Sequence, residues 1–148
     1  MNLLTPHFSF EELTASDYAT RFGIDNTPRA DLLANGQMLA NGLERVRAIL
    51  ALPIHVSSGY RSAKLNHAVG GSKDSKHMAF LAADFTCHRF GSPADVAREL
   101  AEHYAEIGFQ TLIFEGFWVH IDFADDPKGI VLTAHFGPGP TTYTKGLA

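Results

Sequence analysis

Cysteine is nearly absent from this chain of 148 residues, in which Cys87 is the single one. One thiol cannot form an internal disulfide, so folding needs no oxidising compartment. A zinc site built from several cysteines is excluded for the same reason. Cys87 ends the apolar run Ala-Asp-Phe-Thr-Cys, and we expect a buried thiol there.

Long apolar runs and an excess of positive charge are also missing. No run approaches the roughly 18 apolar residues of a membrane-spanning helix, so we expect no membrane insertion. The formal net charge is −4, which does not indicate a nucleic-acid partner. The first residues lack the basic and apolar regions of a Sec signal. The length fits one domain with its own core, which we expect to be a monomer.

Hydrophobic periodicity predicts an α+β domain. Ser9-Phe-Glu-Glu12 is a capping box that opens a short helix, and apolar residues at three- and four-residue spacing predict a long helix over about 29–50. The segment after residue 136 contains Gly-Pro-Gly-Pro and predicts a poorly ordered tail. The other predicted elements are strand 54–58, helix 63–68, strand 81–87, helix 93–107, strands 110–114 and 117–123 joined by a hairpin at Glu115-Gly116, and strand 130–133. We infer an antiparallel sheet with flanking helices.

Three separated residues form the pattern of a metal site. His77 and Asp84 are seven residues apart, and His120 follows 36 residues after Asp84. Side chains alternate along a strand, so Asp84 and His120 can face one cleft if their strands share a sheet. Two imidazoles and one carboxylate leave a coordination position open, as in catalytic zinc sites. The sequence therefore predicts one zinc ion per chain, bound by these three residues.

The other histidines have no partner at a matching spacing, and a surface or core role is the simpler interpretation for them. They are His7, His55, His67, His88, His103 and His135. Asp122 lies two residues beyond His120, on the same face of the predicted strand. It is either a partner that orients His120 or an acid facing a loop.

Several short motifs in a fixed order resemble a known family. They are Phe10-Glu-Glu-Leu13, Pro53-Ile-His-Val-Ser-Ser-Gly-Tyr-Arg-Ser62, Leu65-Asn66, Val69-Gly-Gly-Ser72, Ser75-x-His77 with Ala82-Ala-Asp84, and Trp118-Val-His120. Together they span most of the chain, from about residue 8 to residue 123. The chain resembles the zinc D-Ala-D-Ala carboxypeptidases and murein endopeptidases, specifically their small phage-associated type.

The resemblance implies a fold and a set of site residues. The expected fold is a single domain of the Hedgehog/DD-peptidase type with a zinc cleft, over residues 1–135, followed by the tail 136–148. The family's zinc ligands map onto His77, Asp84 and His120. Its substrate- and oxyanion-binding arginine maps onto Arg61. The expected partner is a peptidoglycan stem peptide, and the candidate residues for contact with it are Ser57, Tyr60, Ser75 and Trp118.

Two positions depart from the family pattern. Phe80 replaces a glycine that usually stands three residues after the first histidine, so either the cleft is reshaped or the loop takes another path. Phe117 stands where many members carry an acidic general base, three residues before the last histidine. The nearest upstream carboxylate is Glu115, beside a glycine that permits a tight reversal. We predict Glu115 as the general base; the alternative is a solvated acid in the turn.

The leading functional prediction is a zinc peptidase that hydrolyses amide bonds in stem peptides, as an endolysin or another cell-wall hydrolase. The D-Ala-D-Ala, L-Ala-D-Glu and cross-link bonds all remain open. A murein-binding or structural zinc domain that has lost its base is the alternative, and Phe80 and Phe117 favour it. A Hedgehog-type signalling domain shares the fold, but the missing secretion signal argues against it. We expect synthesis in a bacterial cytoplasm and action at the cell wall or periplasm, after delivery by a phage holin, a virion or another route.

Overall fold

Helices and strands alternate along the chain in the computed structural model, which describes residues 2–147. The helices are α1 (Phe10–Thr14), α2 (Asp17–Phe22), α3 (Leu33–Leu50), α4 (Ala63–Ala68), α5 (Pro93–Glu102) and α6 (Tyr104–Ile107). The strands are β1 (Leu3–Thr5), β2 (Phe8–Ser9), β3 (His55–Ser58), β4 (Ala82–Thr86), β5 (Thr111–Phe114), β6 (Val119–Asp122), β7 (Ile130–His135) and β8 (Thr142–Lys145). Short 3₁₀ turns cover Ala30–Leu32 and Lys76–Ala79.

The main sheet has six strands in the order β3-β4-β6-β5-β7-β8. Its neighbouring strands are antiparallel, except that β5 and β7 are parallel. The expected antiparallel sheet is therefore present with one parallel pair, which the sequence did not predict. The chain reverses after β5 and again after β6, so β7 runs in the direction of β5. Because β6 lies between β4 and β5, β7 pairs with the other edge of β5, and that pairing is parallel.

The hydrophobic core lies between one face of this sheet and helices α3 and α5. Alternate strand residues point toward the helices, and Ala83, Phe85, Val119 and Ile121 are fully buried there. Helix α5 starts at the predicted place, with a capping box at Ser92 and a proline in its first turn. The opposite face of β4 and β6 carries the polar residues Asp84, Thr86, His120 and Asp122, and all of them except Thr86 contribute to the site described below.

The C-terminal segment corrects a second expectation. Residues 136–148 were expected to form a poorly ordered tail, but β8 pairs with β7 over Thr142–Lys145. The Thr133 hydroxyl also donates a hydrogen bond to the Gly146 carbonyl at 2.7 Å. Gly-Pro-Gly-Pro is a turn composition, and a turn can join two paired strands as well as begin a tail. Threonine and tyrosine in the last strand suit a pleated sheet.

Phe80 does not narrow the cleft, because its side chain points into the core. Its ring is fully buried and lies 5.5 Å from the Tyr60 ring, measured between centroids. A Cβ atom at Gly36 of α3 would lie 2.6 Å from this ring, so the helix needs glycine there. The backbone φ of Phe80 is +61°, in the left-handed region. Glycine adopts this conformation without strain, so a glycine would also allow this path of the loop.

The remaining predicted elements lie close to their expected places. The long helix is shorter than expected, because its first turn is the separate 3₁₀ turn Ala30–Leu32. The helix expected over 93–107 is divided at His103 into α5 and α6. Strands β1 and β2 and helix α2 were not predicted. None of the described helices has both the length and the apolarity needed to cross a membrane.

Candidate metal centre and catalytic cleft

Strand register brings two of the three predicted metal ligands together. Asp84 of β4 lies directly opposite His120 of β6 in the antiparallel pair, and directly opposite residues project from the same face of a sheet. His77 lies in the 3₁₀ turn that precedes β4, and its ring centroid is 5.2 Å from that of His120. All three side chains are buried. The structure therefore brings the predicted ligands into one cluster.

The donor atoms of this cluster fit a zinc ion. Asp84 Oδ1 lies 3.3 Å from His77 Nε2 and 3.1 Å from His120 Nδ1. One ligand atom from each residue falls within 4.8 Å of the others. Donors bound at about 2.0–2.1 Å to a tetrahedral ion lie roughly 3.3 Å apart. Two imidazole nitrogens and a carboxylate oxygen are also the donor types that zinc takes in catalytic sites.

His77 is oriented by backbone atoms. Its Nδ1 lies 2.7 Å from the Gly59 carbonyl oxygen, and this hydrogen bond leaves Nε2 to face Asp84. The His77 backbone N–H donates to the Ser75 hydroxyl at 3.2 Å, and its carbonyl accepts from the Arg61 N–H at 3.1 Å. A ligating histidine commonly donates its second ring N–H to a carbonyl in this way, which fixes its tautomer.

His120 is oriented by a carboxylate. Asp122 Oδ2 lies 2.7 Å from His120 Nε2, so Nδ1 is the nitrogen that faces Asp84. Of the two interpretations of Asp122, the structure supports the one in which Asp122 orients His120. Burial lowers the pKa of His120, but the hydrogen bonds to Asp122 and Asp84 outweigh it and raise that pKa to about 10. The two carboxylates thus stabilise positive charge at this ring, whether a proton or a metal cation carries it.

Asp84 binds a permanent cation with its other oxygen. Arg61 donates from NH2 to Asp84 Oδ2 at 3.2 Å. Burial raises the pKa of Asp84, but hydrogen bonds from His120 and His77 outweigh it and hold that pKa well below its usual range. The carboxylate therefore stays ionised over the whole neutral range, as a metal ligand must.

Arg61 is fixed by two further contacts. Its Nε donates to the Ser58 hydroxyl at 3.1 Å, and its NH1 donates to Asn66 Oδ1 at 3.2 Å. Asn66 in turn donates from Nδ2 to the Ser72 carbonyl at 2.8 Å. Asn66 thereby joins the guanidinium to the glycine-containing loop that forms one wall of the cleft. Asn66 belongs to one of the sequence motifs, but its role could not be predicted from them, because such a bridge depends on the path of a loop.

Glu115 lies in the turn between β5 and β6. The Glu115 N–H donates to the Trp118 carbonyl at 3.1 Å, and the Phe117 N–H donates to the Glu115 carbonyl at 3.0 Å. The second bond closes a γ-turn around Gly116, whose φ is +82°. The turn leaves the Phe117 side chain 86% exposed, outside the cleft lining, while Glu115 lines the cleft. The predicted hairpin is confirmed.

The surroundings of Glu115 favour a proton on its carboxyl group. Burial raises its pKa, and repulsion from Asp84 raises it further, while His120 acts in the opposite direction. The Trp118 indole N–H donates to Glu115 Oε2 at 3.1 Å and fixes the position of the carboxyl group. A carboxyl group with a raised pKa is suited to accept and return a proton near neutral pH.

The four residues predicted to contact substrate separate into two groups. Ser75 and Trp118 line the cleft, which has a volume of about 490 Å³. Tyr60 is buried in the core beside Phe80, and Ser57 borders a smaller cavity with Ser16 and Tyr18. Tyr60 directly precedes Arg61 and Ser57 lies four residues before it, but neither of the two residues lines the cleft.

Comparison with protein families agrees with this geometry. The family model for peptidase M15 matches residues 6–122. The chain belongs to the peptidase M15 family. Searching the curated proteins gives no match.

The family assignment indicates a zinc-dependent peptidase, and the cluster of His77, Asp84 and His120 is a possible site for the ion. The match ends at the last residue of β6 and so includes His77, Asp84, Glu115 and His120. Strands β7 and β8 lie beyond the matched residues.

Proposed function

We propose that this peptidase M15 protein hydrolyses amide bonds in peptidoglycan stem peptides, with one zinc ion bound by His77, Asp84 and His120. The observation that carries the proposal is the arrangement of the cleft. The three donor atoms, a carboxyl group with a raised pKa at Glu115 and the guanidinium of Arg61 all line one open cavity. These are the parts that hydrolysis of an amide by an activated water requires.

Each residue has a separate task in this reaction. Zinc, when bound, supplies a Lewis acid that activates water and polarises the scissile carbonyl. Glu115 accepts the proton of the attacking water and returns it to the leaving amine. Trp118 holds Glu115 in place through its indole N–H. Arg61 pairs with Asp84 Oδ2 and offers its remaining N–H groups to the negative charge that develops on the carbonyl oxygen.

The alternative of a murein-binding or structural zinc domain depended on the loss of the general base. The position of Glu115 favours an enzyme over a binding domain, because the γ-turn at Gly116 directs the Glu115 carboxyl group into the cleft. Phe80 no longer favours the alternative either, since its ring lies in the core.

We further propose that the protein acts at the bacterial cell wall as a phage-type endolysin or a related hydrolase. Delivery by a phage holin, by a virion or by another route is part of this proposal. The motifs shared with the small phage-associated enzymes support it.

A combined assay of metal content and hydrolysis tests the proposed function. Natively purified protein should contain about one zinc per chain and release fragments from purified murein. His120→Ala should lose the zinc, while His67→Ala, a change at an exposed histidine, should keep it. Mass spectrometry of the released fragments identifies the bond that is cut.

The decisive variant is Glu115→Gln, since glutamine can still accept the Trp118 N–H but cannot carry the proton. We expect it to keep zinc and to lose roughly 100- to 10,000-fold of the hydrolysis rate. Glu106→Gln, at an exposed acid of α6, is the matched control. A zinc-loaded parent that never hydrolyses murein would instead favour the binding domain.

A further inference from the structure

The hairpin of β7 and β8 lies outside the residues that the family model matches, yet it contributes to the cleft. Phe136 and Thr141 border its turn, Tyr143 belongs to β8, and all three line the same cavity as the metal cluster. The family match ends at residue 122, so it assigns no role to this wall. We call the three residues Phe136, Thr141 and Tyr143 the hairpin wall.

Strand register explains why Tyr143 faces the cleft. His120 is opposite Ile113, Ile113 is opposite Leu132, and Leu132 is opposite Lys145. Residues in register across neighbouring strands project from the same face of a sheet, and so do residues two apart on one strand. Tyr143 is two residues from Lys145 and therefore shares the face of His120. Its side chain is 50% exposed, so it is open to the cavity.

A chain of contacts connects the hairpin wall to the predicted base. The ring of Phe136 lies 6.3 Å from the ring of Trp118, measured between centroids. Trp118 in turn donates its indole N–H to Glu115. Phe136 is 59% exposed, although it already has this aromatic neighbour. Apolar surface thus remains open next to the carboxyl group that is expected to move protons.

The chemistry of the two cleft walls is different. Arg61 and the loop of residues 70–76 provide cationic and backbone groups on one side. The hairpin wall provides two aromatic rings, one of which is the phenol of Tyr143, and a threonine hydroxyl. Burial raises the pKa of Tyr143, and the nearby carboxylates Glu115 and Asp84 raise it further. The phenol therefore keeps its proton at neutral pH and is a hydrogen-bond donor.

We propose that the hairpin wall is a substrate subsite that binds a small aliphatic side chain of the stem peptide. The rings of Phe136 and Trp118 contact this side chain, and the Tyr143 hydroxyl donates a hydrogen bond to a backbone carbonyl oxygen. An aliphatic side chain beside a peptide carbonyl matches this combination of apolar surface and one neutral donor. The inference rests on the proposed function for the identity of the ligand. Tyr143 is then a specificity-determining residue on the side of the cleft opposite Arg61.

The test uses Trp118, which is the one tryptophan of the chain and contacts the hairpin wall. Zinc-loaded Glu115→Gln protein is titrated with a purified muropeptide, and binding is followed by tryptophan fluorescence. Adding Tyr143→Phe removes only the hydroxyl and should weaken binding about tenfold, the usual effect of one neutral hydrogen bond. Adding Phe136→Ala should weaken binding to a similar degree. Tyr18→Phe, at a half-exposed tyrosine outside this cleft, is the matched control.

The same changes in the active protein should raise KM about tenfold and leave kcat nearly unchanged, because the contact is made equally in the ground and transition states. Unchanged melting temperatures would show that these effects are not caused by unfolding. Dissociation constants within twofold of the control for both variants would overturn the inference. A parent that binds muropeptide in a Tyr143-dependent manner without hydrolysing murein would refute the proposed function but support the subsite.

Discussion

Asp122 holds the imidazole of His120 through a 2.7 Å contact to Nε2. This contact decides which ring nitrogen of His120 faces Asp84. Asp122 can make it because it lies two residues after His120 on the same strand. The other carboxyl oxygen of Asp122 is buried and has no hydrogen-bond partner among the described residues. The whole carboxylate therefore depends on His120 for its stabilisation, and we expect the two residues to act as one unit.

Removing this carboxylate should weaken metal binding. We expect Asp122→Ala to lower zinc affinity roughly 10- to 100-fold, the usual effect of removing the partner of a ligating histidine. Asp122→Asn should have a smaller effect, because its amide oxygen can still accept from Nε2. Competition with a chromogenic chelator measures the affinity, with Asp126→Ala, at an exposed acid, as the control. Full zinc affinity in Asp122→Ala would mean that the ring is oriented by packing alone.

Arg61→Lys should affect both activity and stability. Lysine keeps the charge beside Asp84 but cannot contact Ser58 and Asn66 at the same time, because it lacks the planar fork. We expect hydrolysis to fall roughly 100-fold, the scale of one lost oxyanion donor. The free energy of unfolding should fall by about 1–2 kcal/mol for the lost hydrogen bonds.

Steady-state kinetics and urea unfolding measure the two effects separately. Arg29→Lys, at an exposed ion pair with Asp31, is the control for the chemistry of the substitution. Loss of stability without loss of activity would identify Arg61 as a purely structural residue.

The raised pKa of Glu115 predicts how stability depends on pH. The folded state binds this proton more tightly than the unfolded state, so the ionised side chain destabilises the fold. This loss of folding stability is absent below the pKa of Glu115 in the unfolded state, which is about 4.3. It grows as pH rises toward the raised pKa of Glu115 in the folded state, and it is complete above that pKa. Glu115→Gln should therefore raise the melting temperature at pH 7 and have little effect at pH 4.

This comparison requires protein stripped of metal with a chelator, because a bound cation would itself lower the pKa of Glu115. Differential scanning calorimetry over this pH range measures the difference between variant and parent. A variant that gains no stability at pH 7 would mean that the Trp118 hydrogen bond compensates fully for the buried charge.

Phe80 and Ala51 provide a matched pair, since both are non-glycine residues with positive φ, at +61° and +57°. Ala51→Gly should stabilise the protein by about 1 kcal/mol, because the side chain is exposed and only backbone strain is removed. Phe80→Gly relieves the same strain but empties a core site, where loss of a buried phenylalanine costs about 3–5 kcal/mol. We expect a net loss of stability, measured by urea unfolding. An increase would show that the Phe80 ring contributes little to the core.

The sequence by itself determined the chemistry of the site. His77, Asp84 and His120 were identified from donor type and spacing, because metal ligands must be particular residue types whatever fold surrounds them. The predicted hairpin and the strand alternation were also confirmed, because both depend on residues that are close together in the sequence. The motifs were sufficient to recognise the family that the comparison later showed.

Only the tertiary structure decided the contacts that depend on how distant segments pack. The hydrogen bonds from His77 to the Gly59 carbonyl and from Arg61 to the Asn66 side chain depend on loop paths. A backbone carbonyl such as that of Gly59 also leaves no signal in the residue types. The parallel pairing of β5 with β7 and the position of Phe80 in the core followed from the arrangement of whole elements. Tyr143 reaches the cleft through register that passes across four strands. No local pattern at residue 143 could have predicted that position.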